Sequence, residues 1–366
     1  MTGTLPYYLG RLFIGRFAAI MLAMTAFILS LDIMVNSKSV TNKAGDISDP
    51  LLHYALLRLP EVLSQSIPVS TLLAMLLLTA QLIRNSELVA IWNMGLSPLR
   101  TVMALAPAAL LIGGLQLVTD GVMVPSSLGK LNAWGVADYG KRLTNETADG
   151  AFWLRSGNDI VRLPERRYDV ENLSSLIIFR RDDEGNLLAR IDAGGLRHIE
   201  DTRWMLKDVR FRDAIASTLQ HLDEMEWDTE LPLEELEVMT THPRELSLGS
   251  LFFFVRDRTY GLFPPFIYKT WFYEKLTACL TPLLLVVLVI LVAQRFERTG
   301  GIAVLFAWGI TVGFAFFILD RASLAIGEAG LVPPLVASWA PTLALAAIAL
   351  TFGFHYESRG PRKLRR

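Results

Sequence analysis

The residue types that carry most enzymatic and metal chemistry are sparse in this 366-residue chain, and their spacing assembles little. Five histidines, His53, His198, His221, His242 and His355, are scattered without the short His-x-His or Cys-x-x-Cys intervals that build a metal site. The single cysteine, Cys279, lies in an apolar run, which excludes an internal disulfide and reads as packing. There is no G-x-x-x-x-G-K-[ST] phosphate loop, no G-x-S-x-G nucleophile elbow and no H-E-x-x-H helix. The expectation is a non-catalytic chain that binds no cofactor of its own, although residues assembled only by folding escape such a search.

One short stretch does have chemistry in view. Residues 86–97, SELVAIWNMGLS, interrupt two long apolar runs. Ser86 is placed to cap a helix whose first residue, Glu87, puts its carboxylate at the positive end of the helix dipole. Gly95 is placed to end that helix in a left-handed conformation, and Pro98 prevents it from resuming. Two turns of helix are marginal alone in water, and Leu88, Val89, Ala90, Ile91, Trp92 and Met94 are more apolar than an exposed loop requires. One reading is a helix lying in the lipid headgroups with Trp92 as anchor. The other is a plug entering a groove on a soluble partner, with Glu87 making a charge-assisted contact. Glu87, Ile91 and Met94 share one side at helical spacing and Leu88 and Trp92 the next; the first side is the one expected to enter the socket.

The elements that must position this stretch follow from hydropathy. A mean hydropathy of +0.38 with 52% hydrophobic residues is too apolar for an ordinary soluble chain, yet 19% charged residues are too many for one buried throughout in lipid. Apolar runs near 17–36, 63–83, 99–121, 275–294, 301–320 and 333–355 are each long enough to cross a membrane. The first follows Arg11 and Arg16, lacks a small-residue cleavage site and reads as an uncleaved anchor. Asp32 lies in the outer third of that run, where a carboxylate is costly in lipid and must meet a cavity, a polar neighbour or the interface.

Arg11, Arg16, Arg84, Arg100, Arg295, Arg298 and the basic tail 358–366 flank the runs on one side, which places both termini and residues 84–100 in the cytoplasm. Residues 151–245 hold 21 acids against 13 bases, so the rest of the chain is net basic, but no overall basic excess points to nucleic acid. This hydrophilic block alternates with period two. Candidate strands are 151–156, 159–164, 175–181, 187–193, 203–213 and 217–231, with turns at SGND, DDEGN and IEDT, and Trp204, Leu206, Val209 and Phe211 as inward residues. The predicted fold is an α-helical membrane protein of about six transmembrane helices, three before and three after an inserted all-β, sandwich- or jellyroll-like periplasmic domain. The divisions are 1–140, 141–245 and 246–366, the last beginning with an amphipathic linker at 244–263.

The order of three spans, β domain and three spans, with SELVAIWNMGLSP after the second span, WLRSGNDIVRL opening the β block, DTRWMLKDVRF within it and GFAFFILDR closing the fifth span, resembles the LptF/LptG family of lipopolysaccharide export permeases. The span-five sequence and the VPP start of span six are more similar to the LptG branch. The resemblance implies an inner-membrane subunit of an ABC transporter, in which one LptF and one LptG sit on a dimer of the ATPase LptB. ATP and magnesium are then used by that partner. It further implies that Ser86, Glu87, Leu88, Ile91, Trp92, Met94 and Gly95 form the coupling helix seated on the ATPase. Lipopolysaccharide is passed from the membrane lipids, with LptC, to a periplasmic bridge.

Phosphates on such a substrate need cations near the outer interface. Asp32, Lys38, Lys43, Lys130, Lys141 and Arg142 are the candidates, set against the plain alternative that interfacial lysines snorkel. Asn36 and Asn42 stand where some relatives carry lysines, so membership of the phosphate site departs from the family pattern. Two rivals remain from the residues alone: a membrane-anchored periplasmic scaffold or sensor, and an intramembrane lipid-modifying enzyme using Asp32 and a histidine.

Overall fold

The structure is a computed structural model of the chain. It describes residues 4–137 apart from 44, 46–47 and 95–96, then residues 139, 152–163, 173–200, 203–214, 218–228, 242–256, 263–296 and 301–357. The chain divides into two units, 1–140 with 272–366, and 141–271.

In the first unit, α1 (Thr4–Asn42) and α2 (Pro50–Arg84) are followed by the short α3 (Glu87–Asn93). Next come α4 (Pro98–Val118), a π-helical turn (Thr119–Met123) and α5 (Val124–Trp134). After the β domain, α7 (Pro265–Ala278), within which the two units divide, leads to α8 (Thr281–Phe296), α9 (Ile302–Glu328) and α10 (Pro334–Glu357). Among the described residues four helices are long and apolar enough to cross a membrane: Thr4–Asn42, Pro50–Arg84, Pro98–Trp134 and Ile302–Glu328. The expected single span at 275–294 is instead the pair α7 and α8, bent by 50° at Cys279 and Leu280. Pro282 accounts for the restart: it lacks an N–H and is tolerated only in the first turn of a new helix. The sixth run is present as the shorter apolar helix α10.

The helices outrun the hydropathy windows. At 1.5 Å per residue, the 39 residues of α1 reach roughly 58 Å, about twice the hydrocarbon thickness. Hydropathy sees the lipid-crossing part of a helix and is blind to the polar turns that continue beyond it.

The core of this unit is built from Leu9 and Phe13 of α1, Met75, Leu78 and Leu82 of α2, Leu105 and Ala109 of α4, and Val286 and Val289 of α8, all buried. Leu22, Phe27, Met34 and Val35 of α1 stay exposed, as suits side chains whose solvent is lipid. Gly113 is required by close approach. A Cβ there would lie 2.1 Å from the Cys279 carbonyl oxygen, at the break between α7 and α8. Gly309 and Gly313 likewise receive Leu76 and Leu72 against α9, the close packing their presence in an apolar run predicts.

The second unit holds one six-stranded antiparallel sheet: β1 (Phe152–Ser156), β2 (Asp159–Leu163), β3 (Leu173–Arg181), β4 (Leu187–Glu200), β5 (Arg203–Asp213) and β6 (Leu219–Asp228). Strand order follows chain order, so among the described residues the sheet is a meander with no Greek-key crossover. The all-β insertion is as predicted, whereas the second sheet that a sandwich implies is not among the described residues. Trp204, Leu206 and Val209 are buried and Phe211 is half-buried. The switch from even to odd positions within one strand has a local cause: Asp208 takes a positive φ of 51°, which resets the alternation. The linker contains α6 (Leu248–Arg256), which buries Leu251 and Phe254 and leaves Phe252 exposed, the amphipathic helix expected there.

Candidate coupling and substrate sites

Helix α3 is real and short, and its seat is apolar. Leu88 is fully buried in the core it shares with residues of α1, α2 and α4, with Trp92 packed against that core, and Ile91 is buried at 6% exposure. Burying two such side chains contributes roughly 1.5–3 kcal/mol each, which supplies what a two-turn helix lacks by itself. The Trp92 indole N–H is buried with no hydrogen-bond partner among the described residues.

Two expectations for this helix change, those for Ser86 and Ile91. Ser86 stands at the N-cap position, but with φ 62° it is left-handed and its side chain makes no cap hydrogen bond. The Met94 backbone N–H closes the C-terminal end on Ala90 and Trp92 carbonyls, while Gly95 lies outside the described residues. Ile91 does not share an outward side with Met94: it is buried within the chain at 6% exposure. The outward residues are Ala90, Asn93 and Met94, the last 72% exposed. Helical spacing names the sides of a helix but not which of them its own protein covers.

Glu87 is half-exposed and already engaged. Its Oε2 accepts from the Tyr8 hydroxyl at 3.0 Å and its Oε1 from Asn85 Nδ2 at 3.0 Å, tying α3 to the start of α1. At the same end Arg16 donates to the Leu12 carbonyl and to Gln81, so α1 and α2 are also linked.

At the other end of α1, Asp32 meets polar neighbours. Its Oδ2 accepts from the Tyr54 hydroxyl at 2.7 Å and from Arg58 Nε at 3.2 Å, and Asn36 Nδ2 lies 3.4 Å from Oδ1. Arg58 also pairs with Glu61 and donates to Tyr139, whose hydroxyl in turn donates to Glu61 at 2.9 Å. Asp32, Arg58 and Glu61 are all largely buried, at 20%, 16% and 15% side-chain exposure. Burial, then the Glu61 carboxylate, push the Tyr139 phenol well above its ordinary range, so it remains a donor. One guanidinium thus holds two carboxylates, with two phenols completing their shells. Arg58, Glu61, Tyr54 and Tyr139 had not been singled out from sequence; the Arg58–Glu61 spacing of three inside an apolar-flanked stretch was the available signal.

The predicted cations separate into two kinds. Lys38 and Lys130 are exposed. Lys43 donates to the Gly135 carbonyl and Trp134 Nε1 donates to the Lys43 carbonyl at 2.9 Å, so this lysine fastens the end of α1 to the end of α5. Lys141 and Arg142 lie outside the described residues.

A further polar cluster was not foreseen. Asp120, in the π-helical turn, accepts from Ser64 and Gln116, and Lys275 Nζ donates to the Asp120 carbonyl at 2.8 Å. A π-turn misaligns the backbone ladder, and the lysine satisfies the carbonyl it releases. Among the described residues no group of three or more histidines, cysteines, aspartates or glutamates is arranged to hold a metal ion.

A family model described as lipopolysaccharide export system permease LptF/LptG matches residues 7–353. The chain is 22% identical over 331 residues to the lipopolysaccharide export system permease protein LptG of Haemophilus influenzae, covering 88% of this chain and 90% of the relative. It is 25% identical over 357 residues to the protein of the same name from Escherichia coli K12, covering 95% and 97%. With the apolar helices and inserted antiparallel sheet, that near-complete match shows that the chain belongs to the LptF/LptG family of lipopolysaccharide export permeases.

Proposed function

We propose that this chain is a non-catalytic permease subunit of an ATP-driven transporter that lifts lipopolysaccharide from the inner membrane toward a periplasmic bridge. In this reading α3 is the coupling element. It carries force because Leu88, with Trp92 packed beside it, locks it to the core of α1, α2 and α4, while Ala90, Asn93 and Met94 present an outward surface to a cytoplasmic ATPase of the LptB kind. That divided helix is the observation that carries the proposal. Loop charges set both termini and α3 on the cytoplasmic side and the β domain in the periplasm. An LptF-like paralogue completes the membrane pair, and an LptC-like protein receives the lipid.

On the substrate side, exposed Lys38 and Lys130 are the first contacts for phosphates, and the Asp32–Arg58–Glu61–Tyr139 network holds α1, α2 and the segment after α5 in register. Purification of the chain from its native membrane tests the whole reading. A stable complex with an ATP-hydrolysing subunit and a second permease is expected. Recovery with periplasmic proteins alone contradicts transport and favours a membrane-anchored scaffold.

A further inference from the structure

The outward face of the β sheet carries residues that neither α3 nor the Asp32 network uses. In register, Trp153, Arg162, Ile177, Asp192, Arg210 and His221 form one row across all six strands. The next row along holds Arg155, Ile160, Phe179, Arg190 and Arg212. The opposite face is the apolar one, with Val161, Ile178 and Ile191 buried, so the core makes no demand on these side chains.

Their arrangement is specific. Trp153, 39% exposed, stacks on Phe179 with ring centroids 5.7 Å apart and an interplanar angle of 28°. The Arg190 guanidinium lies over Phe179, 5.8 Å from the ring centre. From there Arg190 Nε and Nη2 donate to Asp192 Oδ1 at 3.0 and 2.8 Å. Beside this pair is a cavity of about 300 Å³, walled by the charged Arg162, Arg190, Asp192, Asp208 and Arg210 and by Leu176, Ile177, Ala193 and Gly194. Gly194 keeps it open: a Cβ there would sit 2.9 Å from an Asp208 carboxylate oxygen.

An exposed indole face is a platform for the C–H face of a sugar ring. Fixed guanidinium and carboxylate groups beside it offer paired donors and acceptors at the spacing of vicinal hydroxyls. Five arginines in the two rows against Asp192 and Asp208 leave the face positive, which selects an anionic ligand. The five charged side chains in the lining disfavour an acyl chain, which would desolvate them and offer no hydrogen bond in return. We propose that this face of the β domain binds an acidic saccharide, with one ring stacked on Trp153, its hydroxyls on the Arg190–Asp192 pair and its phosphate or carboxylate against Arg162 and Arg210. The proposal rests on the lipopolysaccharide reading only for the choice of probe.

The test titrates the full chain in detergent micelles with the phosphorylated oligosaccharide of lipopolysaccharide stripped of all acyl chains, and with neutral maltohexaose. Saturation transfer from aromatic protons to sugar ring protons is expected for the first alone. Trp153→Ala and Arg210→Gln should each weaken binding about tenfold or more, as loss of an aromatic or arginine anchor does, and Trp153→Phe should recover most of it. No binding, equal binding of maltohexaose, or unchanged affinity in both weakening variants overturns the proposal. ATP-driven lipopolysaccharide release by the reconstituted complex is measured alongside. Release with no oligosaccharide binding overturns the saccharide site and leaves the transport reading standing. Oligosaccharide binding without release supports the site and contradicts transport.

Discussion

The two ends of the α1–α2 pair are held by opposite kinds of chemistry. At the inner end, α3 is seated by Leu88 and Trp92 on a hydrophobic core, with one hydrogen bond from Tyr8 to Glu87. At the outer end, α1, α2 and the segment after α5 are joined by Arg58 between two carboxylates, with Tyr54, Tyr139 and the Lys43–Gly135 contact around it. Apolar packing is non-directional, so it transmits a push while leaving the outward face of α3 available to a partner. A buried charge network is directional and tolerates little displacement, so it fixes register or gives way as a unit.

Removing the outer cation should do the most damage. Arg58→Met strands Asp32 and Glu61 in a largely buried site, and loss of one partner from such a network costs about 3–5 kcal/mol. Thermal unfolding of the purified chain should show it, and adding Asp32→Asn should restore part of the loss, because the two residues are coupled. Additive effects would mean that the network is not a unit.

Next in size is the apolar seat. Leu88→Ala should cost about 2–5 kcal/mol locally, read as faster amide exchange across α3 with little change at the outer end. Uniform loosening of both ends would erase the distinction drawn between them. Gly113→Ala, which forces a methyl group onto the Cys279 carbonyl, should cost about 1–3 kcal/mol by overpacking, detectable as a lowered unfolding temperature.

Smallest in stability and sharpest in function are the outward changes. Ala90→Arg should alter unfolding by no more than about 0.5 kcal/mol yet abolish lipopolysaccharide export. Glu87→Lys should likewise impair export while membrane insertion remains normal. Export by either variant at the level of the unmodified chain would remove α3 from the coupling role.

Much of this division can be read in the sequence, and the part that cannot is long-range. Hydropathy locates all six apolar runs, and period-two alternation locates each strand, because both signals are local and repeated. The boundaries of β5 coincide with those expected. The short helix between the second and third runs is likewise announced by Glu87 at its start and Pro98 after it. Its buried side is not, since Leu88, Ile91 and Met94 differ little in chemistry and only the packing of α1, α2 and α4 decides among them.

The Asp32 network adds links 22 to 81 positions long to the local Arg58–Glu61 pair, so no window contains the whole of it. The π-turn at Thr119–Met123 and the positive φ of Asp208 are departures from regular geometry within regular-looking segments. Each is stabilised by partners elsewhere in the chain or in the sheet rather than by its own residue type.

The central claim is that α3 presents Asn93 and Met94 to an ATPase while Leu88 faces inward. Photocrosslinking residues placed singly at positions 88, 93 and 94 in native membranes test it most directly. The expected result is capture of an ATP-hydrolysing protein from 93 and 94, and none from 88. Capture of phospholipid from 93 and 94, with no ATPase adduct, would contradict it and make α3 an interfacial helix.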